Sequence, residues 1–194
     1  MKRLLKKVAM VLCTMVITIG FIGKTTVTSN ADIFKGRLVE YDSSKVNTVY
    51  FYVDGEAIKD LKPITQWAGA SSKLKLVKTD KKNKAKIVIY NKKKSDKERA
   101  GTTRLYNSKG QLVNHNKNWS KAEVHIFKNN YTKNKANYNH TLAHEVGHAL
   151  GIAHTTVKNS SIMKAGTDPS SKKKANAYCI TSYDKKQLQK KWGK

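Results

Sequence analysis

One string constrains this chain more than any other: residues 144–154 read H-E-V-G-H-A-L-G-I-A-H. In a helix, residues four positions apart project from the same face, so His144 and His148 can reach one ion. Gly151 stands where a residue that accepts a positive φ lets the chain turn sharply. The turn can bring His154 back toward the same ion. Three neutral imidazoles leave a fourth coordination position open, which predicts a catalytic zinc site rather than a closed structural one.

The glutamate inside the string does not share the helix face of the two histidines. Glu145 adjoins a ligand but is rotated off the ligand pair, which suits a general base acting on zinc-bound water rather than a third ligand. The alternative is coincidence, because a bare H-E-x-x-H occurs by chance and helical histidines are often surface residues. The added glycine and third histidine at fixed spacing disfavour that alternative.

The string is similar to the extended zinc signature of the metzincin metallopeptidases, H-E-x-x-H-x-x-G-x-x-H. That clan also carries a methionine in a tight turn beneath the zinc, and Met163 is the candidate here. Within the clan the chain most resembles the matrixins, whose catalytic domain ends in a helix similar to residues 180–193. Ala165 stands two places after the methionine, so the tyrosine ligand of the astacin-like branch is not expected.

The first residues of the chain are typical of an export signal. Four basic residues precede an apolar run over residues 8–22, and Ser29 and Ala31 occupy the positions that a signal peptidase reads. We predict a signal peptide over residues 1–31 and a secreted, bacterial-type catalytic domain over 32–194. A retained membrane anchor is the alternative, although the run is shorter than the roughly twenty residues that spanning needs. The mature part keeps one cysteine, Cys179, which we expect to be a buried apolar side chain.

The charge is strongly positive, at +26 for the whole chain. The leader contains five of the basic residues and no acid, so residues 32–194 carry 34 basic against 13 acidic side chains, or +21. Such a field favours anionic partners, cell-envelope polymers among them. A merely solvated lysine surface is the alternative. No specific nucleic-acid partner is expected, because the basic runs at 92–94 and 172–174 lack interleaved arginines and aromatics.

Hydrophobic periodicity predicts an α/β fold. Helical spacing indicates a helix over residues 57–68 with a bend at Pro63, after a polar arm over 32–47. Asn139 is the predicted N-cap of the zinc helix, which would end at Gly151. Strands are predicted at 48–53, 74–77, 85–90, 101–106 and 122–127. By resemblance to the matrixins, a twisted, mostly parallel sheet of about five strands packs on two long helices, and a C-terminal helix follows the Met-turn.

The resemblance also implies a substrate-binding edge strand, which could hold an extended peptide by strand addition. Its residues would be Gly101, Thr102, Thr103, Arg104, Leu105 and Tyr106. Of the remaining histidines, we expect His140 to be a first-turn polar residue or a partner of a ligand, His125 to lie in core or solvent, and His115 to be solvated in a loop. Acid-rich loops are missing from the sequence, so we predict one Zn²⁺ per chain without the further metal sites common in matrixins.

Two functions follow from these features. The first is a secreted, monomeric zinc endopeptidase that acts on protein or peptide substrates, with Glu145 as general base and acid. The second is a cationic cell-envelope-binding protein in which the zinc is structural. The open ligand set and the adjacent glutamate favour the peptidase.

Overall fold

The structure is a computed structural model that describes residues 33–91, 95–96, 99–128, 130–155, 161–165 and 179–194. The predicted signal peptide and the lysine runs at 92–94 and 172–174 lie outside these residues. No helix in the described part of the chain is long and apolar enough to span a membrane.

The centre of the fold is one six-stranded sheet with the order β2-β1-β3-β6-β4-β5. The first four strands in that order are parallel, and β4 and β5 are antiparallel to their neighbours. This confirms the predicted fold class. The strands are β1 (Asn47–Gly55), β2 (Leu74–Lys78), β3 (Ile87–Asn91), β4 (Gly101–Tyr106), β5 (Leu112–Val113) and β6 (Lys121–Ile126). The two residues of β5 are too few to show an alternating pattern, and the sequence analysis missed that strand.

Four α-helices are described, and two of them are long. They are α1 (Lys62–Thr65), α2 (Asn130–Lys133), α3 (Lys135–Ala149) and α4 (Ser182–Trp192), with 3-10 turns at Ala68–Ala70 and Lys82–Lys84. α3 carries the zinc signature, and α4 is the predicted C-terminal helix.

The predicted helix over residues 57–68 is wrong, because only its centre is helical. α1 begins at Lys62 with Pro63 in its first turn, so the proline lies at the start of a short helix instead of bending a longer one. Proline is tolerated there because its missing backbone N–H would have no partner within the helix. The backbone N–H of Lys62 donates to the side chain of Asp60, which fixes a turn at this point. Ile64 lies in the short helix and Trp67 follows it, and both side chains are buried. Their burial from two separate elements produced the helical spacing of apolar residues.

The N-cap prediction for the zinc helix is also wrong. Asn134 caps α3, and its side chain accepts from the backbone N–H of Ala136 at 2.7 Å. Asn139 lies inside the helix and is buried. Several asparagines precede the signature, so the sequence offers more than one suitable cap.

The core lies between the sheet and α3. The inner sheet face contributes Phe51, Ile87, Ile89 and Val124, and α3 contributes Leu142 and Val146. Two tryptophans tie other elements to this helix, because Trp67 Nε1 donates to the carbonyl of Ala143 at 2.9 Å and Trp192 Nε1 donates to the carbonyl of Leu150 at 2.8 Å.

The start of the described chain, predicted as a polar arm, packs against the end of α3. Ile33 forms an isolated bridge with Ile152, and the N–H of Phe34 donates to the carbonyl of Gly151 at 2.8 Å. Lys191 Nζ donates to the carbonyls of Phe34 and Gly36. The arm is therefore held from both sides, beside the residues of the signature.

Candidate metal centre and catalytic site

The three histidines of the signature converge on one point. His144 and His148 project from the last turns of α3, and their Nε2 atoms lie 3.1 Å apart. Gly151 has a φ of 94°, which reverses the chain where a side chain would be strained. The reversal brings His154 Nε2 to 3.1 Å from each of the other two Nε2 atoms.

Backbone carbonyls orient the two helical imidazoles. Nδ1 of His144 lies 2.8 Å from the carbonyl oxygen of Ile162, and Nδ1 of His148 lies 2.8 Å from that of Ile152. A carbonyl can only accept, so each Nδ1 carries the hydrogen and each Nε2 presents a lone pair. The Phe34 ring stacks on the His148 ring at 5.6 Å between centroids.

Burial keeps these imidazoles neutral. It lowers the pKa of His144 to about 4, lowers that of His148 well below its usual 6.5, and lowers that of His154. Neutral imidazoles are the form that ligates metals. The 3.1 Å separations are close to the edge of a tetrahedron of ligands at about 2.0 Å, which is roughly 3.3 Å. The donor set therefore fits zinc, and within the described ranges it is the one group of metal-ligating side chains found.

Glu145 is buried beside the ligands, with 7% of its surface exposed. Its Oε2 accepts a hydrogen bond from Thr103 Oγ1 at 2.7 Å. Burial raises the pKa of Glu145 to about 7, and the Thr103 hydroxyl opposes the rise. A carboxyl group with a pKa near neutrality can both accept and release a proton, as a general base and acid must.

Met163 lies beneath the histidines and is 1% exposed. Its carbonyl accepts from the backbone N–H of Thr155 at 3.0 Å, which ties the segment after His154 to the methionine turn. The side chain packs against Gly147 so closely that a Cβ there would lie 2.5 Å from Met163 Sδ. Met163 thus packs against the ligand helix at Gly147, between His144 and His148 in the sequence, and its role as the Met-turn methionine stays a prediction.

Asp184 supports the same turn and was missed by the sequence analysis. Its carboxylate accepts from Ser161 Oγ at 2.5 Å and from the backbone N–H of Ile162 at 3.2 Å. It also forms the capping box of α4 with Thr181. The spacing Thr181-x-x-Asp184 was the available signal. Ser161 Oγ also accepts from the backbone N–H of Met163 at 3.0 Å, which is in the same peptide group as the Ile162 carbonyl that accepts from His144. Through Ser161 the aspartate therefore supports the peptide group that orients a ligand.

A cleft of about 640 Å³ opens in front of Glu145. The residues of β4 from Gly101 to Leu105 line it, whereas Tyr106 does not. β4 is next to the sheet edge rather than at it, since β5 pairs with Leu105 and Tyr106. Six lining residues were not predicted as site residues. They come from the arm, from the segment around β5 and from the position before His154: Phe34, Leu112, Val113, Asn114, His115 and Ala153.

The other candidate residues have different surroundings. His140 does not belong to the metal-ligating group, and its ring lies 6.3 Å from that of His144. His125 is buried on the outer sheet face and stacks on Tyr90 at 4.6 Å. His115 is exposed, as predicted for a loop residue, but it also lines the cleft. Cys179 is only half-buried, so the prediction of a buried side chain is wrong.

The comparison with known families identifies the class of protein. A sequence model of the matrixin family, a family of zinc-dependent metallopeptidases, matches residues 56–193. This span exceeds half of the chain, and the chain belongs to the matrixin family. The resemblance drawn from the zinc signature and Met163 is therefore confirmed.

Two solved structures of myroilysin are similar to this chain. One is 13% identical, with a TM-score of 0.46 over 82% of this chain and 99% of the other. The second is 12% identical, with a TM-score of 0.47 over 90% of this chain and 100% of the other. No curated protein matched the chain.

Proposed function

We propose that the chain is a secreted zinc endopeptidase whose site consists of His144, His148, His154 and Glu145. The observation that carries the proposal is the convergence of three Nε2 atoms at 3.1 Å beside a buried carboxyl group. A closed structural site would use a fourth protein ligand, and the described residues offer three.

A zinc ion held by the three imidazoles would supply a Lewis acid that polarises a peptide carbonyl and makes water easier to deprotonate. Glu145 would take the proton from the attacking water on its carboxylate and deliver it to the nitrogen of the leaving amine. Its burial favours both steps, because a carboxyl group with a pKa of about 7 is half protonated near neutral pH.

We propose that the peptide lies along β4 in an extended conformation. β5 pairs only with the last two residues of that strand, and Gly101 to Arg104 line the cleft. Strand addition would supply affinity through the backbone, and the cleft walls would supply preference for particular side chains.

A digest of a proteome-derived peptide library tests the peptidase proposal. The mature protein should cleave a defined set of peptide bonds, whereas the protein treated with 1,10-phenanthroline and the Glu145→Ala variant should cleave none of them. The alternative, an envelope-binding protein with a structural zinc, predicts no cleavage by any sample. It also predicts a binding activity that chelation leaves intact and high salt abolishes.

We also propose that the secreted protein is a monomer retained on anionic cell-envelope polymers. The support is the charge of +21 on residues 32–194 and the screening of such attraction over about 10 Å at 0.1 M salt. Binding to anionic wall material at low salt should be lost at several hundred millimolar NaCl, while hydrolysis of a short neutral peptide should change little. Equal binding to neutral and anionic surfaces would assign the lysines to solubility alone.

A further inference from the structure

Thr103 makes an unusual contact with the buried carboxyl group. The threonine lies on the inner face of β4, and its Oγ1 is 2.7 Å from Glu145 Oε2 and 2.8 Å from the backbone carbonyl oxygen of the same glutamate. No other hydrogen-bond partner of this carboxyl group is found among the described residues. The one described polar contact that fixes the carboxyl group is therefore a single hydroxyl from the neighbouring strand.

The strand approaches the helix closely enough for this contact because of Gly101. A Cβ at Gly101 would lie 2.8 Å from Glu145 Cγ and 2.8 Å from Thr141 Cγ2. Gly101 and Thr103 point to the same side of β4, since alternate residues of a strand share a face. The strand thus packs against the methylene part of the glutamate with one residue and holds its carboxyl end with the other.

Thr103 Oγ1 is within hydrogen-bond distance of two oxygens of the same glutamate. One is Oε2 at the end of the side chain, and the other is the backbone carbonyl oxygen of Glu145 in the helix. The hydroxyl therefore lies between the carboxyl end and the helix backbone of this residue. The contact fixes the side chain in one orientation relative to the helix that carries the histidines.

We propose that Thr103 is a positioning residue whose hydroxyl holds the carboxyl group of Glu145 in one place beside the three histidines. This inference rests on the proposed peptidase function. The Thr103 hydroxyl is bonded to the glutamate, and strand addition would bind the peptide through the backbone of β4. Loss of the hydroxyl should therefore slow turnover and leave substrate binding and the histidines unchanged.

The first test compares Thr103→Val with Thr103→Ser. Valine keeps the shape and removes the hydroxyl, and kcat should fall about 10- to 100-fold, the range expected for a lost hydrogen bond to a charged group. KM, zinc content and melting temperature should stay near their wild-type values. Serine restores the hydroxyl and should return kcat to within about threefold of wild type.

A matched control is available in Thr141→Val. Thr141 is also buried, lies one helical turn before Glu145, and donates its hydroxyl to the carbonyl of Asn137 at 2.9 Å. Its substitution should leave kcat within about twofold. If Thr103→Val does not fold, the pair Thr103→Ala and Thr103→Ser asks the same question, because these two variants differ by the hydroxyl group alone.

A double-mutant cycle shows whether the effect passes through Glu145. In a Glu145→Gln background, Thr103→Val should cause no further loss of the residual activity. A full additional loss, a Thr103→Val enzyme with wild-type kcat, or a serine variant as slow as the valine variant would each overturn the positioning role. An inactive wild-type enzyme would instead overturn the peptidase function on which the inference depends.

Discussion

Two carboxyl groups in the described part of the chain are buried under opposite conditions. Asp184 is 1% exposed and accepts from Ser161 Oγ, the Ile162 N–H and both the N–H and hydroxyl of Thr181. Glu145 is 7% exposed, and Thr103 is its one side-chain donor among the described residues. The first carboxylate is saturated with donors and lies near the N-terminus of α4, where the helix dipole favours negative charge.

The difference in the number of donors distinguishes Asp184, which supports the fold, from Glu145, which is placed for a reaction. The oxygens of Asp184 are occupied by four donors from the methionine turn and the start of α4, so this carboxylate joins two parts of the fold. A buried carboxyl group with one donor is held between its two forms, and the pKa of Glu145 is raised to about 7 accordingly. The predictions below test whether the two groups are as different as their surroundings indicate.

The largest expected effect is on the activity of Glu145→Gln. Glutamine keeps the size of the side chain but cannot take the proton, so kcat should fall about 10²- to 10⁴-fold. Zinc content should be unchanged and the melting temperature should not fall, because a neutral amide replaces a group that is costly to bury charged. A variant that cleaves peptides at the wild-type rate would remove Glu145 from the mechanism.

Asp184→Asn should show the reverse signature. An amide cannot accept on both atoms, so the Ser161 hydrogen bond to Oδ1 is lost or reversed, and the three hydrogen bonds to Oδ2 lose their charge assistance. The free energy of unfolding should fall by about 3 to 5 kcal/mol. Urea denaturation at saturating zinc measures it. Zinc affinity should fall about tenfold, since the Ile162 peptide that orients His144 is loosened. The exposed Asp80→Asn is the control and should change neither quantity.

This division of roles was only half visible in the sequence. The three histidines and Glu145 were identified because helical spacing and one glycine turn place them together locally, and Met163 was identified by resemblance to the metzincin Met-turn. Thr103 and Asp184 act across the fold, on Glu145 and on Ile162, and no periodicity relates positions that far apart. The pattern that predicted strands succeeded because alternation reflects a half-buried sheet. It predicted a helix over residues 57–68 because Ile64 and Trp67 are both buried and their spacing matches that of one longer helix.

The pH dependence of stability offers a third contrast. In metal-free protein, the folded-state pKa of Glu145 is about 7, above its ordinary value of 4.5. Between these values the unfolded chain releases a proton that the folded chain retains, so this group destabilises the fold increasingly as pH rises from 4.5 to 7. Glu145→Gln should match wild-type stability near pH 4.5 and exceed it by up to about 3 kcal/mol above pH 7. Chemical denaturation of both proteins across this range measures the difference, and a constant difference would contradict the raised pKa.

The smallest expected effect concerns Gly147, where the helix that carries Glu145 contacts the methionine turn that Asp184 supports. Gly147 lies on α3 between the ligand histidines, and a Cβ there would lie 2.5 Å from Met163 Sδ and 2.8 Å from Trp67 Cζ2. The methionine can shift, but the buried tryptophan ring is held by its hydrogen bond to Ala143. Gly147→Ala should therefore cost about 1 to 2 kcal/mol of unfolding free energy, after about 1 kcal/mol of gained helix propensity. Gly69→Ala, where a Cβ meets no atom within 4 Å, is the matched control. If the methionine turn and the ligand helix are coupled, both zinc affinity and stability should fall in Gly147→Ala. Zinc affinity should remain unchanged in Gly69→Ala. Unchanged zinc affinity in both variants would show that the turn supports the fold without influencing the ligands.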